Sequence, residues 1–540
     1  MLHMHRSVRL IPGLLLVILC IACAPAAEVN SASPNRIVYG LTLSPGGFDP
    51  HRNESSELGI PMRQVYDTLI YRNPTDGGFV PGLATDWSIS DDRLTYSFNL
   101  RQDVKFHDDT KFNALAVAAN LDRIVNRDTR STKALTLLGT YAGYELTGEY
   151  SINLKLAEPY SPLLDSLSQL YLGIASPTAL AQYATMPERY QFHQVGTGPY
   201  MMSELILDNR LVLRRNPNYT WGPSFYLPAD DNMVEEIEYR FFADPPTRFT
   251  ALESGTASIM GEIPPLTARS MTGNSQIQLF PAAVAGQPQQ FLINTRLFPT
   301  DNLAFRQALV LGTNRSAIND IVFQGFSPVA WGPITSNTQF YNNAMNGLYE
   351  YDSQEAIALL ASAGYIDADL NGYLDDPSPD KEDVEVKIIV PPWGATPQIA
   401  QLIQDQWKIL GIKALLTPVP DFSTLLDLVT QGDYNLVAFY TFGVDPAFLN
   451  SFFTTDGSRN WTGFSNPELD RMLFDAQLQL ESGTRNTLYG NAQQMIMDNA
   501  LILPIREYVN LNGAVRDIEG LTFDPYGWFP LMANVRLKQP

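Results

Sequence analysis

The stretch 384–450 limits the fold of this chain more than any other. Residues 384–390 (VEVKIIV) form a β-branched run of strand length, stopped by Pro391 and Pro392. Thr396 as N-cap and Pro397 at the first helical position then open a helix. Its buried face is Ile399, Leu402, Ile403, Trp407 and Leu410, and Gly411 is placed to end it. Residues 412–416 read as a second strand, 421–430 as a second helix capped by Asp421, and 434–440 (YNLVAFY) as a third strand. Strands joined through helices in this way run parallel. Open parallel sheets bind ligands beyond the carboxyl ends of their strands. Those ends here are Pro392-Trp393-Gly394 and Thr441-Phe442-Gly443-Val444-Asp445. Both are aromatic, both contain glycine, and neither carries a recognisable catalytic group, so the expectation is the wall of a binding cleft.

At 540 residues the chain exceeds what one core supports, and two or three domains are expected. A formal charge of −21, from 57 acidic against 36 basic residues, argues against a nucleic-acid partner. Arg6 and Arg9 precede an apolar run, 10–22, too short to span a bilayer and suited to a signal-peptide core. Ala22 before Cys23 resembles the bacterial lipobox, in which the cysteine becomes a lipid-modified first residue; a plain secretory leader with a stray cysteine is the alternative. Residues 24–35 (APAAEVNSASPN) read as a tether. The two cysteines, Cys20 and Cys23, both lie at the start, leaving none for a disulfide in the body. The expectation is an exported, lipid-anchored protein on the outer side of a bacterial cell membrane.

Residues 80–124 (VPGLATDWSISDDRLTYSFNLRQDVKFHDDTKFNALAVAANLDRI) resemble the signature region of the bacterial family 5 extracellular solute-binding proteins, the peptide- and nickel-type receptors of ABC importers. The resemblance continues through 195–200 (VGTGPY), 211–219 (LVLRRNPNY), 250–255 (TALESG), 293–295 (INT), 305–309 (FRQAL) and 464–470 (FSNPELD). It departs at Asp109, where glycine is usual, and at 113–117, where the helix start is altered. The family implies an α/β fold: a two-lobed periplasmic-binding-protein-like clamshell (type II) with an extra domain inserted in the N-terminal lobe. Mapped onto this chain, 1–22 is the leader, 23–35 the lipid-anchored linker, and 36–60, 195–285 and 505–540 lobe I. The inserted domain II is then 61–194 and lobe III 286–504, with hinges near 286–294 and 501–510.

No G-x-S-x-G, H-E-x-x-H or G-x-x-x-x-G-K-[ST] pattern occurs, and Gly196-Thr197-Gly198 lacks the third glycine of a dinucleotide loop. His51, His107 and His193 are not at metal-ligand spacing. The candidate pocket is aromatic: Phe48, Trp331, Trp393, Tyr440, Phe442 and Trp461, each near a turn. In peptide-binding family members the strand matching 434–440 is followed by an aspartate, four residues before a proline, that grips the ligand's α-amino group. Pro446 fixes that register here and position 442 is phenylalanine, so the charged anchor is missing unless Asp445 takes its place. Arg459 and Arg506 are candidate partners for an anionic group.

Asp367, Asp369, Asn371, Tyr373 and Asp375, with Gly372 at the turn, have the spacing of a calcium loop, although Ser378 stands where the bidentate glutamate belongs. A structural calcium and an empty Asx-rich turn both stay open. No other cofactor is implied. The function expected is capture of a peptide or peptide-like solute and delivery to an ABC permease in the membrane. A metal chelate, an oligosaccharide or, outside transport, hydrolysis by paired carboxylates remain alternatives.

Overall fold

The alternation of strands and helices in 384–450 folds as three parallel strands, Glu385–Val390 pairing on one side with Lys413–Pro418 and on the other with Leu436–Ala438. The computed structural model of the protein describes residues 35–44, 46–377 and 382–538. The leader, Cys23 and most of the tether lie outside the described residues, as does Ser378.

The helices Thr396–Ile409 and Phe422–Gln431 make the crossovers, and Asp421 caps the second by accepting from the Thr424 amide at 2.8 Å. Thr396 is not the cap of the first. Gly394 (φ 63°) and Ala395 (φ 59°) are both left-handed, so the chain turns sharply one residue early and Ala395 takes the cap position. The Thr396 hydroxyl instead donates back to the Trp393 carbonyl at 2.7 Å, fixing the aromatic loop. The third strand is shorter than its apolar run because the chain leaves the sheet after Ala438.

Two antiparallel strands, Gln289–Ile293 and Ile502–Arg506, complete a five-stranded mixed sheet in the order 413–418, 385–390, 436–438, 289–293, 502–506. Apolar layers cover both faces. Trp407, Val386, Ile388 and Ile403 belong to one, and Leu292, Ile389, Val437 and Phe452 to the other.

A second sheet has seven strands, in the order Ile277–Ala283, Val509–Val515, Ile259–Met260, Arg36–Leu41, Glu236–Phe241, Arg210–Arg215, Tyr200–Ile206. Arg36–Leu41 runs parallel to both of its neighbours. The chain passes between the two large sheets twice, through 284–288 and through 507–508. The second passage falls within the stretch 501–510 expected to act as a hinge, and the first overlaps the start of 286–294.

A four-stranded antiparallel sheet, Ala84–Ile89, Thr95–Leu100, Ser151–Leu156 and Tyr141–Gly148, comes from the segment read as an inserted domain. Among the described residues it pairs with no strand of another sheet. Its core is nevertheless not separate: Tyr96, Phe98 and Leu154 share one buried cluster with Ile37, Tyr39 and Leu213 of the seven-stranded sheet. The glycines of 195–200 account for part of that union. A Cβ on Gly196 would lie 2.1 Å from the Val65 carbonyl, and one on Gly198 2.5 Å from that of Gln64. They permit close backbone packing of the insert. No helix among the described residues is long and apolar enough to cross a membrane.

Candidate ligand-binding site

Beyond Ala438 the chain bends away from its own sheet and pairs with the passage between sheets. The Gln287 amide donates to the Thr441 carbonyl at 2.8 Å, the Gly443 amide donates to Ala285 at 3.0 Å, and Phe442 bridges Gly286. Gly286 sits at φ 136°, and a Cβ there would lie 2.5 Å from the Thr441 oxygen and 2.6 Å from the Phe442 Cα, so only glycine fits.

This pairing delivers the Phe442 ring to a cluster drawn from both sides. Its centroid lies 5.7 Å from Tyr440, 5.4 Å from Tyr508 and 5.6 Å from Trp528, the last in a stacked geometry of 25°. Tyr508 and Trp528 are 6.0 Å apart, and Tyr440 and Tyr508 6.1 Å. Tyr440 and Phe442 follow a strand of the five-stranded sheet, yet Phe442 packs against the apolar cluster of the seven-stranded one. Gly394 closes the corner: a Cβ on it would stand 2.5 Å from the Tyr440 hydroxyl oxygen. The two strand tips therefore meet, Trp393 packing half-buried beside them on the second core.

Arg506 lies against this cluster. Its guanidinium sits 3.7 Å from the Phe323 ring centre and 4.3 Å from that of Tyr508. Nε donates to Gln289 at 2.8 Å and one terminal nitrogen to Ser327 at 2.9 Å. It is buried, and among the described residues no carboxylate pairs with it. Burial pulls its pKa down, against the opposing pull of Tyr508 and Tyr440.

Glu57, 4% exposed, neighbours Trp528 of the cluster. Burial first, then the nearby Glu262 charge, push its carboxyl up to about 8, against the indole N–H of Trp528 and the backbone at Leu43. At neutral pH it is mainly the uncharged acid.

The other predicted residues are distributed more widely. Phe48 is 3% exposed within the first apolar cluster. Trp461, 7% exposed, packs edge-on against Phe439 at 5.0 Å, and its carbonyl accepts the Tyr434 hydroxyl at 2.6 Å. Trp331 is half-buried beneath Arg315, whose guanidinium is 4.6 Å from its ring centre. Arg459 lies over Phe439 and Phe452 at 5.2 and 5.8 Å; burial lowers its pKa and the charge of Glu54 raises it. Asp445 does not stand in for an aspartate at position 442. It is buried, makes a two-pronged ion pair with Arg485 at 2.9 Å on each prong, and accepts from the Ala447 amide at 3.0 Å.

Tyr508, Trp528, Glu57 and Glu262 were outside the sequence reading. A usable signal existed for Trp528, which follows Gly527 much as Trp393 precedes Gly394. Gly527 is left-handed (φ 74°), with the Ala283 carbonyl where a Cβ would go.

The histidines serve the fold. His51 bonds the Gly173 carbonyl at 3.0 Å and burial takes its pKa down to about 4; His107 bonds the Gly198 carbonyl at 3.0 Å. His193 stacks on Tyr183 at 5.0 Å. In the acidic loop the carboxylates turn onto backbone N–H groups. Asp367 accepts from Asn371 (3.1 Å) and Gly372 (2.9 Å), Asp369 from Asn371 (3.1 Å), and the buried Asp375 from Ala368 (2.7 Å). The Asn371 side-chain oxygen Oδ1 accepts the Tyr373 amide at 2.8 Å. Among the described residues no three acidic, histidine or cysteine groups converge to hold a metal ion.

Known proteins resemble the chain over nearly its whole length. Heme-binding protein A of Haemophilus influenzae is 26% identical over 532 residues, covering 93% of this chain and 92% of the relative. The glutathione-binding protein GsiB of Pectobacterium atrosepticum is 27% identical over 494 residues, covering 89% of each. Among solved structures, NikA from Brucella suis in complex with Fe(III)-EDTA superposes with a TM-score of 0.81 at 22% identity, covering 93% of this chain and all of that one. HbpA2 from Haemophilus parasuis gives 0.80 at 24%, covering 94% of this chain and all of that one. These likenesses establish the two-lobed α/β architecture. The profile described as bacterial extracellular solute-binding proteins, family 5 Middle, matches residues 78–463, most of the chain. The protein belongs to the bacterial extracellular solute-binding proteins, family 5.

Proposed function

We propose that this protein is the capturing component of an ABC importer, enclosing a peptide or peptide-like solute between its lobes and passing it to a membrane permease. The observation that carries this is the ring cluster of Tyr440, Phe442, Tyr508 and Trp528, which needs both large sheets to be complete. Flat rings supply apolar contact without demanding one side-chain sequence of the ligand. Closure is a rotation about 284–288 and 507–508, the two passages between sheets. The process is binding and release, with no covalent step.

A non-peptide solute such as a metal chelate is the second reading. It is favoured by phenylalanine at 442 and by the engagement of Asp445 with Arg485. We further propose that the leader is removed before Cys23 and that this cysteine carries the lipid anchor, holding the protein outside the cell membrane; the support is the sequence Ala22-Cys23 after a short apolar run.

Native mass spectrometry of the protein as purified, followed by titration while recording tryptophan emission, tests the transport reading. One bound solute per chain, unchanged on release and altering emission from Trp528, is expected. Turnover of added peptides or glycans would replace the receptor with a hydrolase.

A further inference from the structure

Glu262 follows the short strand Ile259–Met260, beside Thr42, just past the carboxyl ends of two parallel strands of the seven-stranded sheet, where open sheets bind ligands. It is one of few non-glycine residues in the left-handed region (φ 47°), a conformation that persists only where the surroundings enforce it. They do so from both ends. Its amide donates to Asn510 at 3.3 Å, and its carbonyl accepts from Arg248 at 2.8 Å. Arg248 spends its other nitrogens on the Phe242 and Ala243 carbonyls, each at 3.1 Å, so it feels the Glu262 charge without hydrogen-bonding the carboxylate.

The Thr42 hydroxyl donates to one carboxylate oxygen, and among the described residues no lysine or arginine forms an ion pair with Glu262. The side chain is half-buried, and its charge acts on Tyr440 and Tyr508 of the ring cluster. A half-buried carboxylate that no cation pairs directly keeps acceptor capacity for one, and aromatic faces beside it attract the same kind of partner, an organic cation.

We infer that Glu262 anchors a cationic group of the bound solute, an ammonium or guanidinium seated between its carboxylate and the rings of Tyr440 and Tyr508. This rests on the receptor reading and deepens it: the charge missing at Phe442 is supplied from the opposite sheet, reversing the side on which the amine is held.

The test uses the full-length protein and a synthetic library of tripeptides of alanine, leucine and phenylalanine, with free or acetylated amino termini, read by native mass spectrometry. Capture of free-amine peptides is expected to exceed that of acetylated ones at least tenfold. Glu262→Gln should remove the preference, and adding Phe442→Asp to it should restore the preference from the other sheet. Equal capture of both libraries by the unaltered protein would overturn the anchor and leave the receptor standing. Capture of neither would overturn the anchor together with the peptide reading. Circular dichroism of Glu262→Gln guards against misfolding, and the acetylation contrast needs no variant. A folded Glu262→Gln that keeps the preference would also overturn the assignment.

Discussion

Asp445 separates a residue that holds the site together from one that touches the ligand. Both partners of its ion pair with Arg485 are nearly inaccessible, with side-chain exposures of 4% and 7%, and both prongs measure 2.9 Å. Burial opposes the Arg485 charge, and Asp445 and Tyr489 more than compensate, leaving the guanidinium pKa raised. Removing one partner of such a pair strands the other in a medium of low polarity, at a cost of about 3–5 kcal/mol. Asp445 also accepts from the Ala447 amide, a cap whose loss costs about 1 kcal/mol. Asp445→Asn keeps that acceptor and should destabilise by about 3 kcal/mol; Asp445→Ala should lose about 1 kcal/mol more. Replacing both partners, Asp445→Leu with Arg485→Met, should recover much of the loss because no charge is left stranded. Urea unfolding followed by circular dichroism reads all three. Asp445→Asn and Asp445→Ala both within 1 kcal/mol of the parent would refute the reasoning, above all if Asp445→Asn abolished ligand capture, since that would return the carboxylate to the ligand.

Three other perturbations test further parts of the molecule. Gly286→Ala places a Cβ 2.5 Å from the Thr441 oxygen at φ 136°, so it should cost at least about 2 kcal/mol and blunt the emission change on ligand addition; a loss under 0.5 kcal/mol would contradict the close approach. Glu57, with its folded pKa raised to about 8 from 4.5, contributes stability that is complete below pH 4.5 and is lost as pH rises through 8. Glu57→Gln does not titrate, so its stability relative to the parent should rise by up to about 1.4 kcal/mol per pH unit between those limits, and parallel pH curves would refute this. Because the acidic-loop carboxylates are occupied by backbone N–H groups, millimolar calcium should shift the melting temperature by less than about 1 °C. A rise of several degrees, lost in Asp369→Asn, would show that calcium occupies the loop.

The parallel unit 384–450 was readable because its periods are local: β-branched runs, a cap at Asp421 and a breaker at Gly411 act within a few residues of themselves. Trp393 and Phe442 followed from the rule about strand ends. The rest of the cluster came from far along the chain. Tyr508 and Trp528 meet Phe442 only because 441–443 pairs with 285–287, and backbone pairing between distant segments leaves no periodic trace. Asp445 could not be assigned without Arg485, forty positions on, and Glu262 reads as an ordinary acid until its backbone angle is known. The misplaced helix cap has the same origin. Two consecutive left-handed residues, one of them alanine, lie outside what propensity anticipates.

The splice of 441–443 onto 285–287 has a mechanical corollary. On the proposed closure about 284–288, the pivot and one panel of the chamber would be the same ribbon, so a solute pressing on the Phe442 ring would push the axle directly. Grip and swing would then be geared together, and selection for a different cargo at this panel would also retune how readily the jaws shut.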